Sequence, residues 1–153
     1  MPFKSLVPPL VFGNPILLKH APSTPLCAEA LDKLFRDAGF DEGEYSSLFI
    51  TNEECAQVIG DKRVRGVKFT GSCRGGKQVA EVAGRHMKQG CYELGGSDPF
   101  VVLDDSDIEF AAKKGYGSRM AYNGQACINA KSFIVMESIY DKFRESLIHQ
   151  IKT

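Results

Sequence analysis

The chain has no excess of either charge: 19 lysines and arginines stand against 19 aspartates and glutamates in 153 residues. Without a basic surplus, composition gives no argument for nucleic acid or an anionic membrane surface as a partner. No apolar run approaches the roughly 20 residues needed to span a bilayer. No signal peptide is visible, and Met1-Pro2-Phe3-Lys4 lacks the arginine-rich amphipathic character of a transit peptide. No two of Cys27, Cys55, Cys73, Cys91 and Cys127 fall at C-x-x-C spacing, so neither a thioredoxin-type pair nor a zinc knuckle is suggested. The odd number of cysteines favours reduced thiols in a cytosolic or organelle-matrix compartment, and cytoplasmic is the expectation. His20, His86 and His149 do not cluster, so no metal is assigned. No G-x-G-x-x-G is present, since Gly71, Gly75 and Gly76 do not fit that spacing.

The composition is otherwise that of an ordinary globular protein, 43% hydrophobic and 25% charged. The length suffices for one domain with a core, or for parts of two. Four of the seven prolines fall in the first fifteen residues, so a helix is expected there only in pieces. A rhythm then sets in. Ile16-Leu17-Leu18 reads as a buried strand, and Thr24-Pro25 opens a helix that Gly39 closes. Leu48-Phe49-Ile50 is the next strand, and Asn52 is expected to cap a short helix. Val64 to Thr70 alternates into a third strand. Ser72 to Ala83 reads as a helix, and Gly90 to Leu94 as a fourth strand. The pattern restarts after Gly95-Gly96-Ser97-Asp98-Pro99, with a strand over Phe100–Leu103. An acidic turn then caps a helix from Ile108 to about Met120. A strand over Ser132–Met136 and a helix from Ile139 to Ile151 follow.

Strand–helix alternation with short connections predicts βαβ units and parallel strands. The expected fold is α/β: a parallel Rossmann-like sheet, then the first part of a second α/β domain. The boundary is placed near residue 95, giving partial domains over residues 1–94 and 95–153. Ligands of such sheets bind beyond the carboxyl ends of the strands, where helix N-termini point inward. Lys19, the Thr70-Gly71-Ser72 turn and Glu93 are therefore expected at one edge.

Two stretches carry chemistry. Tyr122-Asn123-Gly124-Gln125-Ala126-Cys127 presents a thiol just past a glycine-containing turn. A small core cysteine is the ordinary reading of that residue type. Here the glycine permits close substrate approach, and Asn123, Gln125 and the Cys127 amide are candidates to stabilise an oxyanion. Glu93 ends an apolar strand before Leu94-Gly95-Gly96. It reads either as a surface glutamate or as a base whose pKa is raised in a dry pocket. Asp104, Asp105 and Asp107 read as a helix start. Arg119 is a candidate partner for a substrate carboxylate.

Together, Leu17-Leu18-Lys19-His20-Ala21-Pro22-Ser23-Thr24-Pro25, Phe69-Thr70-Gly71-Ser72, Glu93-Leu94-Gly95-Gly96-Ser97-Asp98-Pro99 and Asn123-Gly124-Gln125-Ala126-Cys127 resemble the aldehyde dehydrogenase superfamily. The Lys-His-Ala-Pro and Gly-Gly-Ser-Asp-Pro runs look nearest to its succinate-semialdehyde branch. The resemblance implies that Cys127 attacks the aldehyde and Glu93 activates the hydrolytic water. It implies that Lys19, Gly71, Ser72 and Leu94 contact NAD or NADP. Pro22 stands where NAD-preferring members carry a glutamate, which leaves NADP open. The resemblance also implies a central fragment of a longer enzyme whose full-length members are homo-oligomers. The oligomerisation strand, an oxyanion asparagine motif and a ribose-binding Glu-x-Phe-Gly-Pro motif are absent. Two other readings stay open: a non-catalytic remnant that binds nucleotide or a homologous subunit, and a thiol esterase needing only Cys127 and Glu93.

Overall fold

A computed structural model describes residues 2–153. The chain forms three successive βαβ units, each closing a parallel pair of strands. It divides into two compact units. One takes the elements through Thr70 together with Arg74–Glu93; the other takes Gly71–Cys73 and Leu94–Thr153.

In the first unit, helix α1 spans Pro2–Val11 and is continuous, with Pro8 and Pro9 inside it. The sequence had suggested helix only in pieces. A proline costs a helix one donor and a clash with the carbonyl four residues back. Here both prolines lie in the last turns, and packing offsets the loss: Leu6 is buried with Leu31, Phe35 and Tyr45, and Leu10 packs against them. The prolines' carbonyls are used as acceptors, by the amides of Phe12 and Asn14 and by the Asn14 side chain.

Strand β1 (Ile16–Lys19) pairs in parallel with β2 (Tyr45–Leu48), across helix α2 (Pro25–Asp37). Asp32 on α2 accepts from the Ser47 amide at 3.0 Å, and Ser47 Oγ donates to the Ala28 carbonyl at 3.2 Å. Phe35 stacks on Tyr45 at 4.2 Å between ring centroids. Strand β2 begins and ends earlier than the apolar Leu48-Phe49-Ile50 run suggested. Phe49 leaves the ladder and packs on the His20 ring at 4.9 Å instead.

Helix α3 (Asn52–Gly60) is capped by Thr51 rather than Asn52: Thr51 and Glu54 form a reciprocal capping box. Strand β3 (Gly66–Thr70), helix α4 (Cys73–Arg85) and strand β4 (Gln89–Glu93) complete the unit, with Thr70 opposite Glu93. Lys88 Nζ donates to the carbonyls of Asp61 at 2.9 Å and Val64 at 2.6 Å, which fastens the loop entering β3. The Arg63 guanidinium beside Asp61 holds that carboxyl well below the usual carboxylate range.

In the second unit, strand β5 (Asp98–Val102) pairs in parallel with β6 (Ala130–Val135), across helix α5 (Ile108–Met120). Asp107 caps α5 through the Phe110 amide. A single 3₁₀ turn over Glu137–Ile139 leads into helix α6 (Tyr140–Lys152). Val102, Ala112, Ile139 and Phe143 are buried together, with Phe100, Phe133 and Leu147 against them. Gly115 lets α5 lie flat on this layer: a Cβ there would stand 2.7 Å from the Phe133 ring.

The α/β class and the parallel sense of the strands are as the alternation predicted. The hydrogen-bonded ladder is divided into three two-stranded pairs among the described residues. Lys19 ends β1 in one pair, whereas Thr70 and Glu93 end β3 and β4 in another. The three therefore do not share one hydrogen-bonded edge.

Candidate active site

Helix α5 ends at Met120, and the chain must reverse before β6. It does so through three successive left-handed residues: Tyr122 at φ 52°, Asn123 at φ 58° and Gly124 at φ 73°. A left-handed conformation costs an L-residue roughly 1–2 kcal/mol, while glycine adopts it freely. The turn is held by its neighbours. Arg119 Nη1 donates to the Gly124 carbonyl at 3.2 Å, and the Gln125 amide donates to the Tyr122 carbonyl. Asn129, 2% exposed, donates from Nδ2 to the carbonyls of Ser118, Arg119 and Ala121. The Ala130 amide donates to Ser118 Oγ.

Cys127 follows this turn and is half-buried. Its carbonyl accepts from Lys131 Nζ at 2.8 Å. The β5–β6 register explains that reach: Asp98 faces Ala130 but Pro99 faces Ser132, so Lys131 is the extra residue of a bulge. Proline cannot donate to a ladder, and a bulge re-aims the side chain it carries. Gly96 also approaches this strand end, since a Cβ on it would lie 3.4 Å from the Cys127 carbonyl.

Gly124→Ala tests the turn. The added methyl would meet Arg119 Nη1 at 2.6 Å in a backbone already at positive φ. A stability loss of about 1–2 kcal/mol is expected in denaturant unfolding. An unchanged midpoint would show that the turn does not need its glycine.

The other cysteines differ in setting. Cys27, Cys73 and Cys91 are exposed, and Cys55 on α3 is half-buried. Burial pushes the Cys55 thiol up, and the Lys19 cation offsets part of the rise. A raised thiol pKa leaves less thiolate at neutral pH. Cys55 is therefore expected to alkylate more slowly than exposed Cys27 at pH 7, with the gap narrowing as pH rises through the thiol range. Residue-resolved mass spectrometry after iodoacetamide reads this directly, and a gap that is constant with pH refutes it.

Lys19 is half-buried at the carboxyl end of β1. Gly71 and Ser72 are exposed and lead directly into α4, Glu93 is exposed at the end of β4, and Leu94 is half-buried. Of the two readings left open for Glu93, the described residues show it open to solvent at the end of its strand. Arg119 bonds the Gly124 carbonyl rather than standing free for a substrate carboxylate. Asn123 and Gln125 are exposed on the left-handed turn. Two residues of the turn were not read from the sequence. Asn129 gives no periodic signal, and Lys131 owes its role to the bulge. The Ser-Asp-Pro run opposite it carried a hint of that bulge, since a proline interrupts the ladder there.

Residues 1–153 match the sequence profile of the aldehyde dehydrogenase family. The chain belongs to the aldehyde dehydrogenase family. It is 48% identical over 136 residues to a succinate-semialdehyde dehydrogenase (NADP(+)) of Deinococcus radiodurans, an alignment covering 89% of this chain and 28% of that protein. It is 41% identical over 145 residues to the succinate semialdehyde dehydrogenase (NAD(P)+) Sad of Escherichia coli, covering 95% of this chain and 31% of that one. The crystal structure of succinic semialdehyde dehydrogenase from Streptococcus pyogenes, in complex with NADP+, superposes with a TM-score of 0.92 at 44% identity. That match covers 96% of this chain and 32% of the other. The chain thus spans about a third of the length of the relatives it matches.

Proposed function

We propose that this chain carries the nucleophile, the base and part of the cofactor site of an NAD(P)-dependent aldehyde dehydrogenase, with succinate semialdehyde as the favoured substrate. The observation that carries the reading is the presentation of Cys127 just past a left-handed turn, braced by Arg119, Asn129 and Lys131. A braced thiol is what nucleophilic catalysis requires, because reacting atoms must be held in near-attack geometry.

In this reading the Cys127 thiolate attacks the aldehyde carbon and forms a thiohemiacetal. The Cys127 amide and a side-chain amide, for which Asn123 and Gln125 are the candidates, stabilise its oxyanion. Oxidation of the thiohemiacetal to a thioester needs a hydride acceptor, which a bound NAD(P)+ would supply. Glu93 then takes a proton from water, which hydrolyses the thioester and frees Cys127. Lys19, Ser72, Gly71 and Leu94 would hold the cofactor. The donors fit such a group: Lys19 offers a half-buried ammonium at a strand's carboxyl end. Ser72 offers a hydroxyl at the start of α4, where helix amides favour a phosphate, and Gly71 has no side chain to block approach. Lys19-His20-Ala21-Pro22 contains no carboxylate to repel a 2′-phosphate, so NADP is accommodated as well as NAD. The proposed setting is the cytoplasm.

The test measures NAD(P)H absorbance with succinate semialdehyde, together with alkylation of each thiol by iodoacetamide. Cofactor-dependent reduction and preferential labelling of Cys127 are expected. Cys127 labelling no faster than exposed Cys27 overturns the nucleophile assignment. A second reading, nucleotide binding without turnover, is favoured by the exposure of Glu93. Saturable NADP+ binding with no NADPH formed would establish it.

A further inference from the structure

Asn129 stands two residues beyond the thiol. Its Nδ2 donates to the carbonyls of Ser118 at 2.7 Å, Arg119 at 3.0 Å and Ala121 at 2.9 Å. The first two belong to the last turn of α5, and the third to the residue that follows it. These are carbonyls that a helix end leaves without partners. An amide nitrogen has two hydrogens, so three acceptors share them. The reverse orientation would set Oδ1 against three carbonyl oxygens, so the geometry fixes the amide one way. The cost appears on its other side: Oδ1 is buried and has no donor among the described residues. A small aliphatic side chain would avoid that penalty, which points to Nδ2 as the useful end. The backbone of Asn129 also acts on the loop, because its amide donates to the Ala126 carbonyl at 3.3 Å. One residue therefore grips the start of the left-handed turn through its side chain and the end of the Cys127 loop through its main chain.

We propose that Asn129 is the positioning residue of the Cys127 loop, locking the end of α5 to the strand that follows the thiol. It touches no reacting atom. The proposal rests on Cys127 as nucleophile only for its purpose, since the lock itself is a property of the fold.

The experiment uses the whole chain and compares the native protein with Asn129→Ala and Asn129→Asp. Amide hydrogen exchange is read by mass spectrometry alongside iodoacetamide labelling of each cysteine at several pH values. In both variants, exchange over residues 119–128 is expected to rise at least about tenfold, with β1–β2 and α6 unchanged. Asn129→Asp, equal in size but without donors, should be at least as damaging as Asn129→Ala. The rate of Cys127 labelling should fall to that of exposed Cys27, while that of Cys55 stays in place. Exchange unchanged over residues 119–128 overturns the proposal. So does a rise spread evenly over α5, α6 and the β5–β6 pair, which would make Asn129 an ordinary core residue. Should both variants fail to fold, Asn129→Ser, which keeps one donor, decides by the same criterion of local against even loss. A native Cys127 that labels no faster than Cys27 sinks the nucleophile assignment instead, and the exchange result still decides the lock.

Discussion

Cys127→Ala is expected to lower both aldehyde-dependent NAD(P)H formation and p-nitrophenyl acetate hydrolysis by roughly 10⁴-fold or more, to the rate without a nucleophile. The size follows from the step removed. In the proposed mechanism, loss of the covalent intermediate would leave no thiohemiacetal for hydride to leave and no thioester for water to cleave. The four remaining thiols do not substitute. Cys27, Cys73 and Cys91 are exposed on helix and strand positions. Cys55 is further disfavoured because burial raises its pKa and depletes its thiolate. Glu93→Gln should separate the two halves of the reaction. The acyl group should still transfer to Cys127, giving a burst of about one equivalent of p-nitrophenol, while hydrolysis of the acyl-enzyme slows. A Cys127→Ala variant that keeps more than a tenth of either activity would refute the assignment, and so would a loss that tracks a different cysteine.

Much of the architecture was legible because it is local. The acidic turn located α5 at Ile108–Met120, and Thr24-Pro25 with the apolar face behind it located α2. Errors arose where two local signals competed or tertiary contacts ruled. Thr51 and Asn52 are both cap types, and the Glu three residues after Thr51 decides between them by closing the capping box. The Leu48-Phe49-Ile50 run looked like a strand centre, but the ladder is drawn back to Tyr45, whose ring is buried on Phe35. Prolines argued against α1, and the burial of Leu6 overrode them. At the candidate site, the thiol and its glycine turn were visible as a motif. The lock was not, because Asn129 meets carbonyls 8 to 11 residues earlier in the chain. No periodicity reports a contact of that kind.

Phe143→Ala is expected to destabilise the protein by about 3–5 kcal/mol in denaturant unfolding, with Phe143→Leu much milder. Phe143 is 3% exposed and buried with Val102, Ala112 and Ile139, while its ring faces Phe133 at 6.0 Å. It therefore joins α6 to both the strand layer and α5. Truncation removes the buried ring and leaves a void that Ala112 and Val102 are too small to fill. Total stabilities of small proteins run about 5–15 kcal/mol, so the loss is a large share. The effect should also reach the thiol. Strand β6 carries Phe133 against this core and begins at Ala130, next to Asn129 and three residues after Cys127. If β6 loosens, the Ala130–Ser118 and Lys131–Cys127 bonds lose their anchor. Phe143→Ala should thus lower the protection of the Ala130 amide well before global unfolding. A loss below about 1 kcal/mol with that amide still protected would mean that the turn is held by the end of α5 alone, independently of the aromatic core beneath it.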